Sequence, residues 1–111
     1  MIEWKPLTSN EELDVIIQKS YQIPVLILKH STVCSISAIA KMRLEEAWEF
    51  SNNELETYLL DLLSYRTVSN TIAERFSVYH ESPQILMIQN GECFHDASHF
   101  DITLAEVKEV I

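Results

Sequence analysis

One glycine, Gly91, is all that the 111-residue chain contains. That excludes a glycine-rich loop wrapped around a phosphate, since such loops need several glycines in one turn. Cysteine is almost as scarce. Cys34 and Cys93 alone are too few for a disulfide framework and fit a reducing compartment. Positive charge is scarce too: 8 Lys and Arg stand against 17 Asp and Glu, for a net charge of -9. Nucleic-acid backbones and anionic membranes repel a surface of that sign, so neither is expected as a partner. Long hydrophobic runs are missing, and a stretch such as Val25 to Leu28 is far too short to span a bilayer. No basic segment followed by an apolar one opens the chain, because "MIEWKPLTSNEEL" turns acidic at once. No secretory signal is therefore expected, and a cytoplasmic location is.

What remains is a chain of 47% hydrophobic and 23% charged residues, the balance of a globular protein. Its length suits a single domain over residues 1–111. The first helix is predicted to begin at Thr8 or Ser9, where Ser9 and Glu12 have capping-box spacing and Leu13, Ile16 and Ile17 form an apolar face. "PVLILKH" reads as a strand buried on both faces. Ile36, Ile39, Ala40, Leu44, Ala47 and Trp48 recur at helical period after Cys34. "ETYLLDLLSY" (56–65) predicts a second strand, with Asp61 in its middle, and "SNTIAERF" predicts a helix. Asn90-Gly91 between "PQILMIQ" and "ECFHDA" marks a hairpin, because both residues tolerate the positive φ of a type I′ turn. Thr103 and Glu106 cap a last helix, with Ile102 and Val107 at the staple positions. The resulting order, α-β-α-β-α-β-β-α, predicts a mixed four-stranded sheet with helices on both faces, starting with a right-handed parallel crossover. Among small α/β folds this is the order of thioredoxin.

Reactive groups in such sheets gather beyond the carboxyl ends of the parallel strands. Cys34 falls there, in "KHSTVCSIS", at the start of a helix whose free N–H groups and partial positive charge favour a thiolate over a thiol. Ser37 is expected one turn on with its hydroxyl in reach of the sulfur. It can donate a hydrogen bond but cannot resolve a mixed disulfide, so a second thiol must come from outside the chain. Thr32 is expected to help cap the helix, and Lys29 to add positive charge upstream. Against this stands the plain alternative that a free cysteine only packs. A second feature favours chemistry: Ser82-Pro83 stands directly before the third strand. In thioredoxin-like proteins a cis-proline there faces the active cysteine and leaves the preceding backbone free to pair with substrate.

The segments "HSTVCSIS", "YRTVSN", "HESPQILMIQNGE" and "HDASHFDIT" resemble the YtxJ-type bacilliredoxin-like family, small thioredoxin-fold proteins associated with the low-molecular-weight thiol bacillithiol. The resemblance covers nearly the whole chain. That family has a cysteine followed three residues later by serine, and Cys34 and Ser37 take those places. A proline commonly follows the cysteine, whereas Ser35 stands here. The resemblance implies a monothiol thiol-disulfide oxidoreductase. Cys34 would take bacillithiol, or a similar small thiol acting as co-substrate, from thiolated protein substrates, with no tightly bound cofactor.

Arg66 follows the second strand and could fork onto a ligand carboxylate, or simply pair with a surface acid. Ser98 and His99 lie in the loop before the last helix, the region that holds part of the small thiol in related glutaredoxins. Alternatively they are a loop cap and an exposed histidine. Cys93, His95 and His99 match no standard zinc spacing, so no metal site is expected. In the hairpin, Cys93 reads as a packing residue rather than a resolving thiol. His30 and His80 are expected near the site, as proton carriers or as structural residues. Asp61 is either a proton acceptor beneath the site or a partner of a nearby helix, and Met42, Trp48 and Phe50 read as packing residues. Two other functions fit the same sequence: a thioredoxin-like binding module without redox activity, and a single-cysteine iron–sulfur carrier. The second is disfavoured because the monothiol glutaredoxins that do this carry Cys-Gly-Phe-Ser, and here Ser35 and Ile36 occupy the middle positions.

Overall fold

The computed structural model describes residues 1–111. Its first long strand is where the buried run was expected: β2 spans Val25–His30, with all six residues buried. Around it the chain places β1 (Lys5–Pro6), α1 (Asn10–Lys19), α2 (Ser35–Ala47), β3 (Glu56–Asp61), α3 (Arg66–Phe76), β4 (Gln84–Gln89), β5 (Glu92–Ser98) and α4 (Leu104–Val110). The sheet runs β1-β3-β2-β4-β5. β2 is parallel to β3 and antiparallel to β4.

The sheet has five strands rather than the expected four. The extra one, Lys5–Pro6, pairs in parallel with Tyr58 and Leu59 at the edge of the sheet. Two residues are too few to show a period, and proline is tolerated at an edge because no neighbour needs its missing N–H. The 56–65 segment is also shorter as a strand than expected. It ends at Asp61, whose carboxylate accepts from the Leu63 N–H at 3.2 Å and the Ser64 hydroxyl at 3.0 Å. Asp61 is thus a turn residue at a strand end, and α3 starts at Arg66, earlier than the apolar spacing indicates.

The alternation of side chains along each strand divides the core in two. On one face Val25, Ile27, Tyr58, Leu60, Leu86 and Ile88 pack against Leu13, Ile16 and Ile17 of α1 and Val68 and Ile72 of α3. On the other, Leu26, Leu28, Ile85 and Met87 pack against Ala40 and Leu44 of α2 and Leu104 and Val107 of α4. Trp48 and Phe50 join the second cluster, 5.2 Å apart edge to face, whereas Met42 is exposed. In α2 the buried stripe is Ser37, Ala40 and Leu44, and Ile36 and Ile39 remain more than a third exposed beside it.

Both helix caps read from sequence are formed. The Ser9 hydroxyl accepts from the Glu12 N–H at 3.1 Å, and the Thr103 hydroxyl from the Glu106 N–H at 3.2 Å. At the hairpin, Asn90 and Gly91 have φ of 54° and 77°. The turn is tied down by Ser20, whose carbonyl accepts from the Asn90 N–H and whose hydroxyl accepts from the Gly91 N–H. No helix is long and apolar enough to cross a membrane.

Candidate functional site

Register alone assembles one end of the sheet. Lys29 pairs with Gln84, His30 with Asp61 and Gln84 with Ser98. The end of β2, the end of β3, the start of β4 and the end of β5 therefore meet along one edge. The segments just beyond them carry Cys34, Arg66, Ser82-Pro83 and His99. Of the candidate residues, Cys93 and His95 lie away from this edge, further along the β4–β5 hairpin.

Cys34 is the N-cap of α2, half-buried, in an extended conformation and without a side-chain capping bond. A turn delivers it, closed by the Cys34 N–H donating to the Ser31 carbonyl at 3.2 Å. Thr32 sits exposed in the middle of that turn and makes no cap. Its expected capping role is therefore not seen, because it lies two residues ahead of the N-cap. Val33, next to the cysteine, is 81% exposed.

Ser37 is fully buried, and its hydroxyl turns inward. It accepts from the Ser31 N–H at 3.0 Å and lies 2.6 Å from Nδ1 of His30. The expectation that it reaches toward the sulfur is thus revised: in this geometry its bonds are to His30 and Ser31. His30 sits beneath α2, its pKa lowered by burial and by Lys41, against the opposing pull of Asp61 and Glu45.

Lys29, the neighbour of His30, points to the opposite face and not toward Cys34. Its ammonium is fully buried and donates to the Ser69 carbonyl at 3.2 Å and to Nδ1 of His80 at 3.3 Å. Burial pushes its pKa down to about 8. The Ser69 hydroxyl lies 3.2 Å from the same imidazole nitrogen, and burial, Lys29 and Arg66 lower the His80 pKa. These contacts, with the Gln84 amide donating to the Tyr79 carbonyl at 2.9 Å, fasten the loop that leads to Pro83.

The Ser82–Pro83 peptide is cis. Pro83 is buried, and its carbonyl accepts from the His99 N–H at 3.0 Å, while the Ser82 backbone makes no intramolecular hydrogen bond. His99 lies in a short 3-10 turn (His99–Asp101) with φ of 55°, and its ring is 3.6 Å from the Glu81 carboxylate. Arg66, the first residue of α3, is exposed and forms no ion pair.

Cys93 lies apart, near the far end of the hairpin, opposite Ile88. Its thiol donates to the His95 carbonyl at 3.3 Å, it packs on the α1/α3 core, and burial pushes its pKa up. Residues two apart in a strand ordinarily share a face, but Cys93 and His95 do not, because the register slips between Met87 and Ile88. Phe94 is the extra residue, so Cys93 faces α1 and α3 while His95 turns to Glu106 of α4. No group of three metal-ligating side chains forms. Sequence reasoning placed His30 near the site but missed its bond to Ser37. Period-two alternation along β2 was the available signal, since it sets Lys29 and His30 on opposite faces.

The family model for the monothiol bacilliredoxin BrxC matches residues 5–107. Among solved structures, a thioredoxin-fold protein suggested to be an oxidoreductase is similar at 30% identity with a TM-score of 0.81, the match covering 95% of this chain and 90% of that one. The thioredoxin of Malassezia sympodialis (Mala s 13) is similar at 11% identity and a TM-score of 0.76, covering 97% and 89%. That of Fasciola hepatica matches at 14% and 0.73, covering 95% and 93%. At those last two identities the likeness speaks for the fold alone. A match over nearly the full chain, on a thioredoxin fold with its lone exposed-edge cysteine at a helix start, means that this chain belongs to the monothiol bacilliredoxin BrxC family.

Proposed function

We propose that the protein removes a small thiol, bacillithiol by its family, from protein mixed disulfides through Cys34. The observation that carries this is the site's single thiol. Cys34 stands half-exposed at the α2 N-terminus, and the position one turn on holds a buried serine hydroxyl. The Cys34 thiolate attacks the small-thiol sulfur of a protein mixed disulfide. A new bond forms between that sulfur and Sγ, and the original S–S bond breaks. The protein sulfur leaves with the electron pair and takes a proton from water. No net oxidation occurs, and Cys34 is left carrying the small thiol. Ser37 has no sulfur with which to displace it, so a second small thiol, or a reductase thiol, must attack to free Cys34.

Three features around Cys34 suit this substrate. The unpaired Ser82 backbone can bond an extended substrate segment beside the thiol. Arg66 has no competing acid and is free to fork onto a ligand carboxylate. Ser98 and His99 border the other side of the same edge. Family membership supports protein thiols as the substrate class.

The test is intact mass spectrometry after incubation with a model protein blocked by bacillithiol and, separately, by glutathione. Wild type should gain a bacillithiol adduct on Cys34 and free the model protein, while Cys34→Ser does neither. A preference for glutathione would retain the mechanism and change the co-substrate. No adduct and no release would reject the reading in favour of a redox-inactive binding module.

A further inference from the structure

We propose that Lys29 is a positioning residue for the protein substrate, holding through His80 the loop from which the Ser82 backbone is offered. The inference rests on the reading above that Ser82 bonds an extended substrate segment beside Cys34.

The middle of the sheet is a poor place for a charge. Lys29 is fully buried there, between Leu60 of β3 and Gln84 of β4, and no carboxylate lies within salt-bridge distance of its ammonium. A buried cation without an anion lowers stability, whereas methionine would fill similar space with no charge to bury. Stability is therefore not what the ammonium supplies. What methionine could not supply is its two bonds, to the Ser69 carbonyl of α3 at 3.2 Å and to Nδ1 of His80 at 3.3 Å. Central strand, helix and loop thus share one donor.

The direction of the second bond is fixed by chemistry. A lysine ammonium has three N–H donors and no acceptor, so Nδ1 must accept and the ring proton sits on Nε2. The bond needs a neutral ring, and burial, Lys29 and Arg66 all disfavour the imidazolium, against the pull of Glu81. Loss of a proton from the ammonium would still leave two N–H groups for its two acceptors.

Elsewhere the loop between Phe76 and Gln84 is held mainly at its two ends. The Val78 N–H donates to the Ala73 carbonyl, the Gln84 amide reaches the Tyr79 carbonyl at 2.9 Å, and the His99 N–H reaches the Pro83 carbonyl at 3.0 Å. Residues 80–82 make no backbone hydrogen bond. Of the three, His80 is the one tied to the buried core, while Glu81 meets only the exposed His99 ring at 3.6 Å. The course of the chain just before Ser82 is therefore set by Lys29, together with Ser69.

The test captures a short extended peptide on Cys34 and reads the Ser82 amide. The peptide carries one cysteine activated as its thionitropyridyl disulfide. The Cys34 thiolate attacks the peptide sulfur, and thionitropyridine leaves with the electron pair. Exchange of the Ser82 amide proton with water is then measured by nuclear magnetic resonance at pH 7, in free and captured protein. Capture should slow it about 10-fold in wild type, the upper worth of one backbone hydrogen bond. In Lys29→Met and His80→Leu the slowing should shrink to about twofold or less. His80→Asn, whose Oδ1 takes the place of Nδ1 as acceptor, should keep most of it. The ratio of captured to free protein is not moved by a general loss of stability. Should Lys29→Met fail to fold, the two variants at the exposed His80 carry the comparison. Undiminished slowing in His80→Leu would overturn the proposal, as would His80→Asn behaving like His80→Leu, or no slowing in wild type. The readout needs no small-thiol transfer. Failure of that transfer alone would reject the proposed function and leave the positioning role standing.

Discussion

Two residues show how single atoms decide the structure and, by the proposal, the substrate. Gly91 has φ of 77°, and a Cβ there would meet the Tyr21 hydroxyl oxygen at 2.5 Å. Gly91→Ala is expected to cost on the order of 1–3 kcal/mol in urea unfolding. Pairing it with Tyr21→Ala should lift the collision but not the backbone strain, so the double variant should regain only part of the loss on that account. Arg66 is the opposite case, a side chain that the fold does not use. Arg66→Ala should leave stability within about 0.5 kcal/mol of wild type. It should also raise the KM for a bacillithiol-blocked protein about 10-fold, the worth of a charge-assisted hydrogen bond. Alkylation of Cys34 by a neutral reagent, measured beside it, should change little, because that reaction does not use the guanidinium.

Helix ends and turns carry the next level. Ser9→Ala and Thr103→Ala should each lower stability by about 1 kcal/mol, since each strands a backbone N–H at a helix start. Melts of the two single variants and the double should show near-additive losses, as the caps share no contact. These caps, the Asn90-Gly91 turn and the buried β2 run were legible because each is a local event with its own residue signature. The site was legible in outline for the same reason: Cys34 at a helix start and Ser82-Pro83 before a strand. What could not be read depends on depth and register. The direction of the Ser37 hydroxyl is set by His30 on a different element. The separation of Cys93 from His95 depends on one unpaired residue, Phe94, in a strand that otherwise alternates. The two-residue strand at Lys5–Pro6 exists only because β3 is there to pair with it.

At the scale of the whole molecule, three buried groups shape the response to alkali: Lys29, Tyr58 and Cys93, whose thiol, raised from 9.0 by burial, opposes the Lys29 rise above pH 9. Lys29 titrates near pH 8 instead of 10.5 because burial penalises its charge. Between those values the unfolded chain binds a proton that the folded chain does not, so stability rises with pH by about 3 kcal/mol across the window. Tyr58 acts the other way: burial, with Glu56 beside it, raises its pKa from 10.0 to about 12. Above pH 10 the folded phenol keeps a proton that the unfolded one sheds, and stability falls. Urea melts at steps from about pH 7 to 12 should therefore rise to about pH 9, stay near level to about pH 10 and fall beyond it. Lys29→Met should lack the initial rise, whatever its stability at neutral pH. A wild-type profile flat from about pH 8 to 9 would mean that the ammonium is not held as described. The uncapped start of α2 has a different reach. Cys34 occupies a post that serine or aspartate would fill more securely, so the variant with the firmest helix is one that transfers no thiol. Any search among variants for heat resistance alone would be drawn toward discarding the cysteine, and enrichment of Ser or Asp at position 34 would be the trace it leaves.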